Sequence, residues 1–332
     1  MNHKRKYAVM TAVSAILLML FAVLGQAAPA VTDADDKSGA VTESAAVQMT
    51  DGITAAADSS ENNAKSGSSV KKFFNNWLPY LVAGIANGGQ YALIAIGYTM
   101  VYGILRLINF AHGDIFMCAG LMMVYFSASL NIFISIPLVL ILTVLLGFLV
   151  ERLAYKPLRE APRMSVMISA IGVSYLLQNL AFYVTSGLAK QYPVIPFLSN
   201  SVSIGSVQVK TVTVVTPFLT IILILLLQLL IKKTKIGMAM RAVSFDFETS
   251  RLMGVKINSV ISMTFIIGSF LAAVGSVMFF SAYTTVTPTV GAMPGLKAFV
   301  AAVFGGIGSI PGAMIGGILL GIIEIFSKSY IS

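Results

Sequence analysis

Charged side chains are scarce in this 332-residue chain: Asp, Glu, Lys and Arg make up 11% of it, against roughly 25% in soluble domains. The hydrophobic set reaches 57% and the mean hydropathy is +0.87. A water-soluble globule is excluded, because there is too little polar surface to cover it. Lipid is a suitable solvent for such a chain, since helices satisfy their own backbone groups there. The single cysteine, Cys118, excludes an intrachain disulfide and any multi-cysteine metal site. Two histidines, His3 and His112, are too few for a histidine-rich one. No Gly-x-x-x-x-Gly-Lys-Ser/Thr phosphate loop occurs, so ATP cannot be held by that device. The run Gly305-Gly306-Ile-Gly308-Ser-Ile-Pro311-Gly312 lacks the spacing of a dinucleotide turn. No nucleophile with an orienting partner lies near His112, which leaves hydrolase chemistry without a basis.

What remains is an all-α, polytopic helical membrane protein. The net charge of +9 comes from Lys and Arg in short runs between apolar stretches, not from one continuous basic face. This excludes a nucleic-acid partner and fits cytoplasmic loops that are hard to translocate. Residues 1–30 have the layout of a signal peptide or uncleaved N-terminal anchor: Lys4-Arg5-Lys6, an apolar run, then Gln-Ala-Ala-Pro-Ala. Residues 31–72 carry seven acidic and four basic side chains and no aromatic one, so they read as a disordered external linker.

The membrane body follows the aromatic patch Phe73-Phe74-Asn-Asn-Trp77. About eight apolar segments are expected, at 78–105, 115–130, 132–150, 165–186, 212–231, 260–280, 299–310 and 313–326. Those at 115–130 and 299–310 are short for a bilayer that needs about 20 residues, which predicts broken or re-entrant helices. The basic loops at 151–163 and 232–256 are expected on the cytoplasmic side. Alternating Val and Ser residues near 201–210 predict a short hairpin in an external loop.

Polar residues inside such segments are candidates for a solute pathway. Asn109-Phe-Ala-His112-Gly-Asp114 is the densest group, while Asn87 and Gln90 lie in one span and Gln178 and Asn179 in another. Amides at these positions either meet a polar solute or bind neighbouring helices together. Gly308, Gly312 and Gly316, with Gly317 and Gly321, make small-x-x-x-small steps suited to helix packing. The segment from Gly237 to Gly254 mixes apolar and charged residues and predicts a short helix outside the membrane, with Gly254 as its stop.

Within it, Glu248-Thr249-Ser250-Arg-Leu-Met-Gly254 resembles the Glu-Ala-Ala-x-x-x-Gly coupling motif of ABC importer permeases, with Thr249 and Ser250 in place of the two alanines. The likeness extends to Tyr91-Ala-Leu-Ile-Ala-Ile-Gly97-Tyr-Thr-Met-Val-Tyr-Gly103, Ile108-Asn109-Phe-Ala-His112-Gly-Asp114, Glu151-Arg152-Leu-Ala-Tyr-Lys156-Pro-Leu-Arg159, Ile171-Gly-Val-Ser and the run from Phe304 through Gly317. Together these resemble the branched-chain amino-acid ABC permease family, over about residues 78–327. The resemblance implies that 73–332 is a permease domain of an inner-membrane importer. Its implied partners are a second permease subunit, two ATPase subunits that bind the ATP, an external solute-binding protein and membrane lipid. No cofactor or metal is implied in this chain itself. The family's final apolar span and basic tail are expected to be missing. Transport of leucine, isoleucine or valine is the implied function; urea or short amides as cargo, or a passive channel or scaffold, are the alternatives.

Overall fold

The computed structural model describes residues 69–159, 161–204 and 207–330. The expected signal or anchor at 1–30 and the linker up to residue 68 lie outside the described residues. Helix α1 spans Ser69–Leu105 and so begins inside the stretch expected to be linker. Its 37 residues extend about 55 Å at 1.5 Å per residue. A sharp break at Arg106, whose φ is 52°, leads to α2, His112–Ser129. In α2 every residue from His112 through Met123 is buried.

Helix α3, Ile132–Val150, contains no ionisable side chain and is apolar all round, the pattern of a helix in lipid. Asn131 caps it by accepting the Phe133 amide at 3.3 Å. It runs on through one π turn, Glu151–Tyr155, and a 3-10 turn, Lys156–Leu158. Helix α4 covers Arg163–Thr185. The connection beyond it holds strand β1 (Lys190–Gln191), a single helical turn α5 (Pro196–Ser199) and strands β2 (Ser201–Ile204) and β3 (Val207–Lys210). The last two pair antiparallel, Ser201 with Lys210 and Ile204 with Val207, forming the hairpin expected there. After α6 (Thr211–Lys233) come two short helices, α7 (Lys235–Phe245) and α8 (Phe247–Leu252). Helix α9 (Ile257–Ala282) leads to strand β4 (Thr285–Val286), which pairs antiparallel with β1. Helices α10 (Ala292–Phe304) and α11 (Ile310–Tyr330) complete the fold.

Among the described residues, five helical segments are long and apolar enough to cross a membrane: Ile132–Leu158, Arg163–Thr185, Thr211–Lys233, Ile257–Ala282 and Ile310–Ser329. The other expected apolar stretches fall on α1, α2 and α10. The Asn87-Gly-Gly-Gln90 centre makes α1 less apolar, and His112 and Asp114 do the same at the start of the 18-residue α2. The stretch 299–310 is no single segment: α10 stops at Phe304, and Gly306 and Gly308, at φ 88° and 98°, turn the chain before α11 starts. These are left-handed conformations that glycine adopts without strain.

Large apolar side chains cover the outside of these helices. Phe133, Tyr183 and Phe218 are more than half exposed on α3, α4 and α6, as suits side chains solvated by lipid. Helix α9 is the centre of the bundle, 67% buried along its most apolar window against 22–28% for the other four. Helix α11 runs antiparallel along α1 in the most extensive helix pair of the structure. A Cβ built on Gly84 would lie 2.8 Å from the Ile322 Cα, and one on Gly317 would lie 2.7 Å from the Ala92 Cα. Small residues let these two backbones approach.

Candidate functional site

The break between α1 and α2 places three polar candidates inside the bundle: Asn109, His112 and Asp114 are 1–2% exposed. The Asp114 carboxylate is held by neutral donors from α4: Gln178 Nε2 donates to Oδ1 at 2.9 Å and the Ser174 hydroxyl donates to Oδ2. The Tyr155 hydroxyl, on the π turn after α3, donates to Asn109 Oδ1 at 2.8 Å. His112 lies edge-on to Tyr98, ring centroids 4.9 Å apart, and its Nε2 finds no protein partner. Gly97 leaves room for that imidazole, since a Cβ there would collide with it. A shallow cleft beside the break is lined by Tyr98, Thr99, Tyr102, Ile108, Phe299 and Ile307.

The remaining amides do not join this group. Asn179 faces away, its Nδ2 donating to the Tyr175 carbonyl of its own helix at 2.8 Å. Asn87 accepts the Tyr283 hydroxyl at 2.9 Å, and Gln90 is buried with its Oε1 unpartnered. The seven polar candidates therefore form no single constellation.

The glycine set also divides. Gly312 and Gly316 face α10, close to the backbone of Gly305 and Ala301, while Gly317 and Gly321 face α1, close to Ala92 and Gly88. Gly308 is a turn residue at φ 98°, and a Cβ there would meet nothing within 4 Å. It thus departs from the packing role expected of it.

One charged group escaped the sequence reading. Lys297 on α10 and Lys328 on α11 both donate to Glu324 Oε1, at 2.6 and 2.7 Å. The Lys297 ammonium also lies 5.6 Å from the Tyr91 ring centroid. Single ionisable residues in apolar stretches were the available signal.

The segment carrying Glu248, Thr249, Ser250 and Gly254 folds as two helices rather than one. Asp246 breaks the run and caps α8, accepting the amides of Glu248 and Thr249 at 3.0 and 3.1 Å and the Thr249 hydroxyl. These hydrogen bonds, the Thr249 hydroxyl foremost, hold the Asp246 carboxyl below its usual pKa. At the other end, Gly254 has φ 82°. Its amide donates to Arg251 and that of Val255 donates to Ser250, both at 3.1 Å, which closes α8 as a Schellman motif. Ser250 is buried, whereas Glu248 and Thr249 are exposed. Phe245, Leu252 and Met253 stand 80–86% exposed around this pair of helices.

A buried ionic link lies next to this segment. Glu151 pairs with Arg159 and accepts the Ser262 hydroxyl at 2.8 Å, and Arg159 also donates to Asn258 in the first turn of α9. The π turn is what brings Glu151 and Tyr155 inward together, one toward α9 and the other toward the α1–α2 break.

A lipid-solvated helical bundle with interrupted helices, internal polar groups and a capped, partly apolar helix pair beyond its spans defines a multi-pass membrane transport subunit. Residues 80–332 match the family described as branched-chain amino acid transport system, permease component. The chain belongs to that family. It is 40% identical over 265 residues to the high-affinity branched-chain amino acid transport system permease protein BraD of Pseudomonas aeruginosa, covering 76% of this chain and 86% of the relative. It is 39% identical over 275 residues to LivH of Escherichia coli, covering 78% and 88%. A more distant relative is the ribose import permease protein RbsC of Haemophilus influenzae, 26% identical over 244 residues, covering 70% and 72%. No solved structure matches the chain significantly.

Proposed function

We propose that the chain is the permease subunit of an ATP-driven importer that carries leucine, isoleucine and valine across the bacterial inner membrane. The observation that carries this reading is the α7–α8 pair. Phe245, Leu252 and Met253 are exposed there, with Lys232 and Lys233 just before the pair and Arg251 within α8. An apolar patch of this kind outside the spans fits a protein partner. The ATPase subunits are that partner, and they bind the ATP for which this chain has no phosphate loop. An external solute-binding protein delivers the amino acid, and a second permease subunit completes the path. The basic loops at 152–163 and 232–256 face the cytoplasm, while Trp77 and the β1–β4 and β2–β3 pairs face outward.

Reconstitution with the two ATPase subunits, the second permease and the binding protein tests this. The expected result is leucine uptake that requires ATP and loaded binding protein. Uptake without ATP would identify a passive channel. Competition by urea or acetamide, with none by valine, would assign the cargo to short amides. Topology is read from single cysteines introduced at Arg163, Lys235 and Leu188, because the native Cys118 is buried. Labelling of Arg163 and Lys235 positions from opposite faces would overturn the orientation.

A further inference from the structure

The buried Glu151–Arg159 link and the Tyr155–Asn109 hydrogen bond are not two separate ties, because α9 joins them. Only residues 253–256 lie between α8 and α9, and the Val255 amide, bound to the Ser250 carbonyl, fixes that junction. A displacement of α8 therefore moves the first turns of α9. There Asn258, Ser262 and Phe265, spaced four and three residues apart, lie on one helix face. Each meets the segment after α3: Asn258 accepts from Arg159, Ser262 donates to Glu151 Oε2 at 2.8 Å, and the Phe265 ring centroid lies 5.0 Å from that of Tyr155. Tyr155 continues the series to Asn109 Oδ1, in the break between α1 and α2. Glu151 and Tyr155 are 0% and 1% exposed, so neither contact is a slack surface one.

Two features set this series apart from a static tie. Its centre is the π turn, in which the Lys156 amide bonds to the Glu151 carbonyl five residues back. An α turn and a π turn are distinct hydrogen-bond registers, and π turns inside α-helices are frequent at functional sites. Each end of the series also holds a buried donor, Arg159 Nε and Asn109 Nδ2, that finds no partner among the described residues. Unpaired buried donors are costly. A second arrangement that pairs them thus lies within reach of this one.

We propose that the π turn Glu151–Tyr155 passes a displacement of the α7–α8 pair to the α1–α2 break, with Glu151 and Tyr155 as positioning residues for transport. This rests on the function proposed above, in which the ATPase subunits dock on that pair. Movement of α8 carries Ser262 and Phe265 with it. Glu151 and Tyr155 follow together because they lie on one turn, and Tyr155 moves Asn109 and the connection from α1 to α2. Glu151 is the grip on α9, since a buried carboxylate leaves Arg159 and Ser262 only at a large penalty. Tyr155 is the grip on the break. The two registers of the turn supply the two-state element that both ends bias.

The test uses the complete transporter in lipid nanodiscs, with a dye attached through Phe110→Cys. Phe110 is exposed in the break, and the native Cys118 is buried. Dye emission should change when a non-hydrolysable ATP analogue binds. Tyr155→Phe and Ser262→Ala should each shrink that change at least about fivefold, as expected for loss of one hydrogen bond in the series. Assembly and analogue binding should persist in both. Their combination should lose no more than either single variant, because both interrupt one series; losses that multiply would make the two sites independent and overturn the proposal. Tyr125→Phe removes a comparable hydroxyl outside the series, one that donates to the Val184 carbonyl at 3.1 Å, and should keep the full change. An equal loss in Tyr125→Phe would reduce Tyr155 to a structural role, and a full change in Tyr155→Phe and Ser262→Ala would refute the coupling. ATP-driven leucine uptake by the wild type is measured first. Its absence defeats the importer reading, whereas uptake together with a dye signal indifferent to nucleotide, or with unaffected variants, defeats the coupling alone.

Discussion

Replacing Gly317 by alanine tests whether close backbone approach holds α11 to α1. The added Cβ would lie 2.7 Å from the Cα and N of Ala92 and 2.8 Å from its Cβ. Carbon contacts relax near about 3.5–4.0 Å, so the helices must separate by roughly 1 Å. None of these atoms belongs to a flexible side chain that could turn aside. Overpacking of this kind costs about 1–3 kcal/mol. Alanine also gains about 1 kcal/mol of helix propensity over glycine, which partly offsets that cost. Gly172→Ala on α4 isolates the packing term, because Gly172 is exposed and a Cβ there meets nothing within 4 Å. The propensity gain is common to both variants, so Gly317→Ala should be less stable than Gly172→Ala by about 1–3 kcal/mol. The native Cys118, 2% exposed on α2, provides the assay. A thiol-reactive dye added during heating in detergent reports when the core opens. Equal melting of the two variants would refute close packing at Gly317 as a determinant of the fold.

Three further outcomes are expected. Gly254→Arg should abolish solute-stimulated ATP hydrolysis while leaving membrane insertion intact. A Cβ meets nothing there, so the loss arises from the left-handed φ of 82°, about 1–2 kcal/mol for a side-chain-bearing residue; Gly254→Asn, which tolerates that conformation, should retain more activity in the same ATPase assay. Tyr155→Phe should destabilise the fold by about 1–3 kcal/mol in the Cys118 assay, because it removes the hydroxyl that Asn109 accepts in a buried site. The cap of α8 should be sensitive to acid. The folded pKa of Asp246 is depressed, so its stabilisation is present above the unfolded value of about 3.9 and is lost as pH falls through the lower folded value. Hydrogen exchange at the amides of Glu248 and Thr249 should therefore accelerate below about pH 4, and pH-independent protection would remove the capping argument.

The sequence revealed most where one residue type dominates a long stretch. The 132–150 stretch coincides with α3 because lipid asks for the same apolar character along a whole helix. The stop of α8 is legible in Gly254, whereas Asp246, its cap and the break from α7, is not marked out in a run of mixed charged and apolar residues. What escaped depended on contacts across the chain. Gly308 fits the same four-residue spacing as Gly312 and Gly316, and spacing alone cannot reveal that its φ of 98° places it in a turn. Gln178 and Asn179 are adjacent, yet one step around a helix sends Gln178 to Asp114 and Asn179 back to its own backbone. Lys297 and Glu324 are 27 residues apart, on two helices whose boundary the expected segments at 299–310 and 313–326 place several residues past the turn. Once Gly306 and Gly308 are seen to reverse the chain, α10 and α11 run antiparallel, and two isolated charges become neighbours. The turn at Gly306 and Gly308 therefore brings together an ion pair that no spacing in the sequence announces.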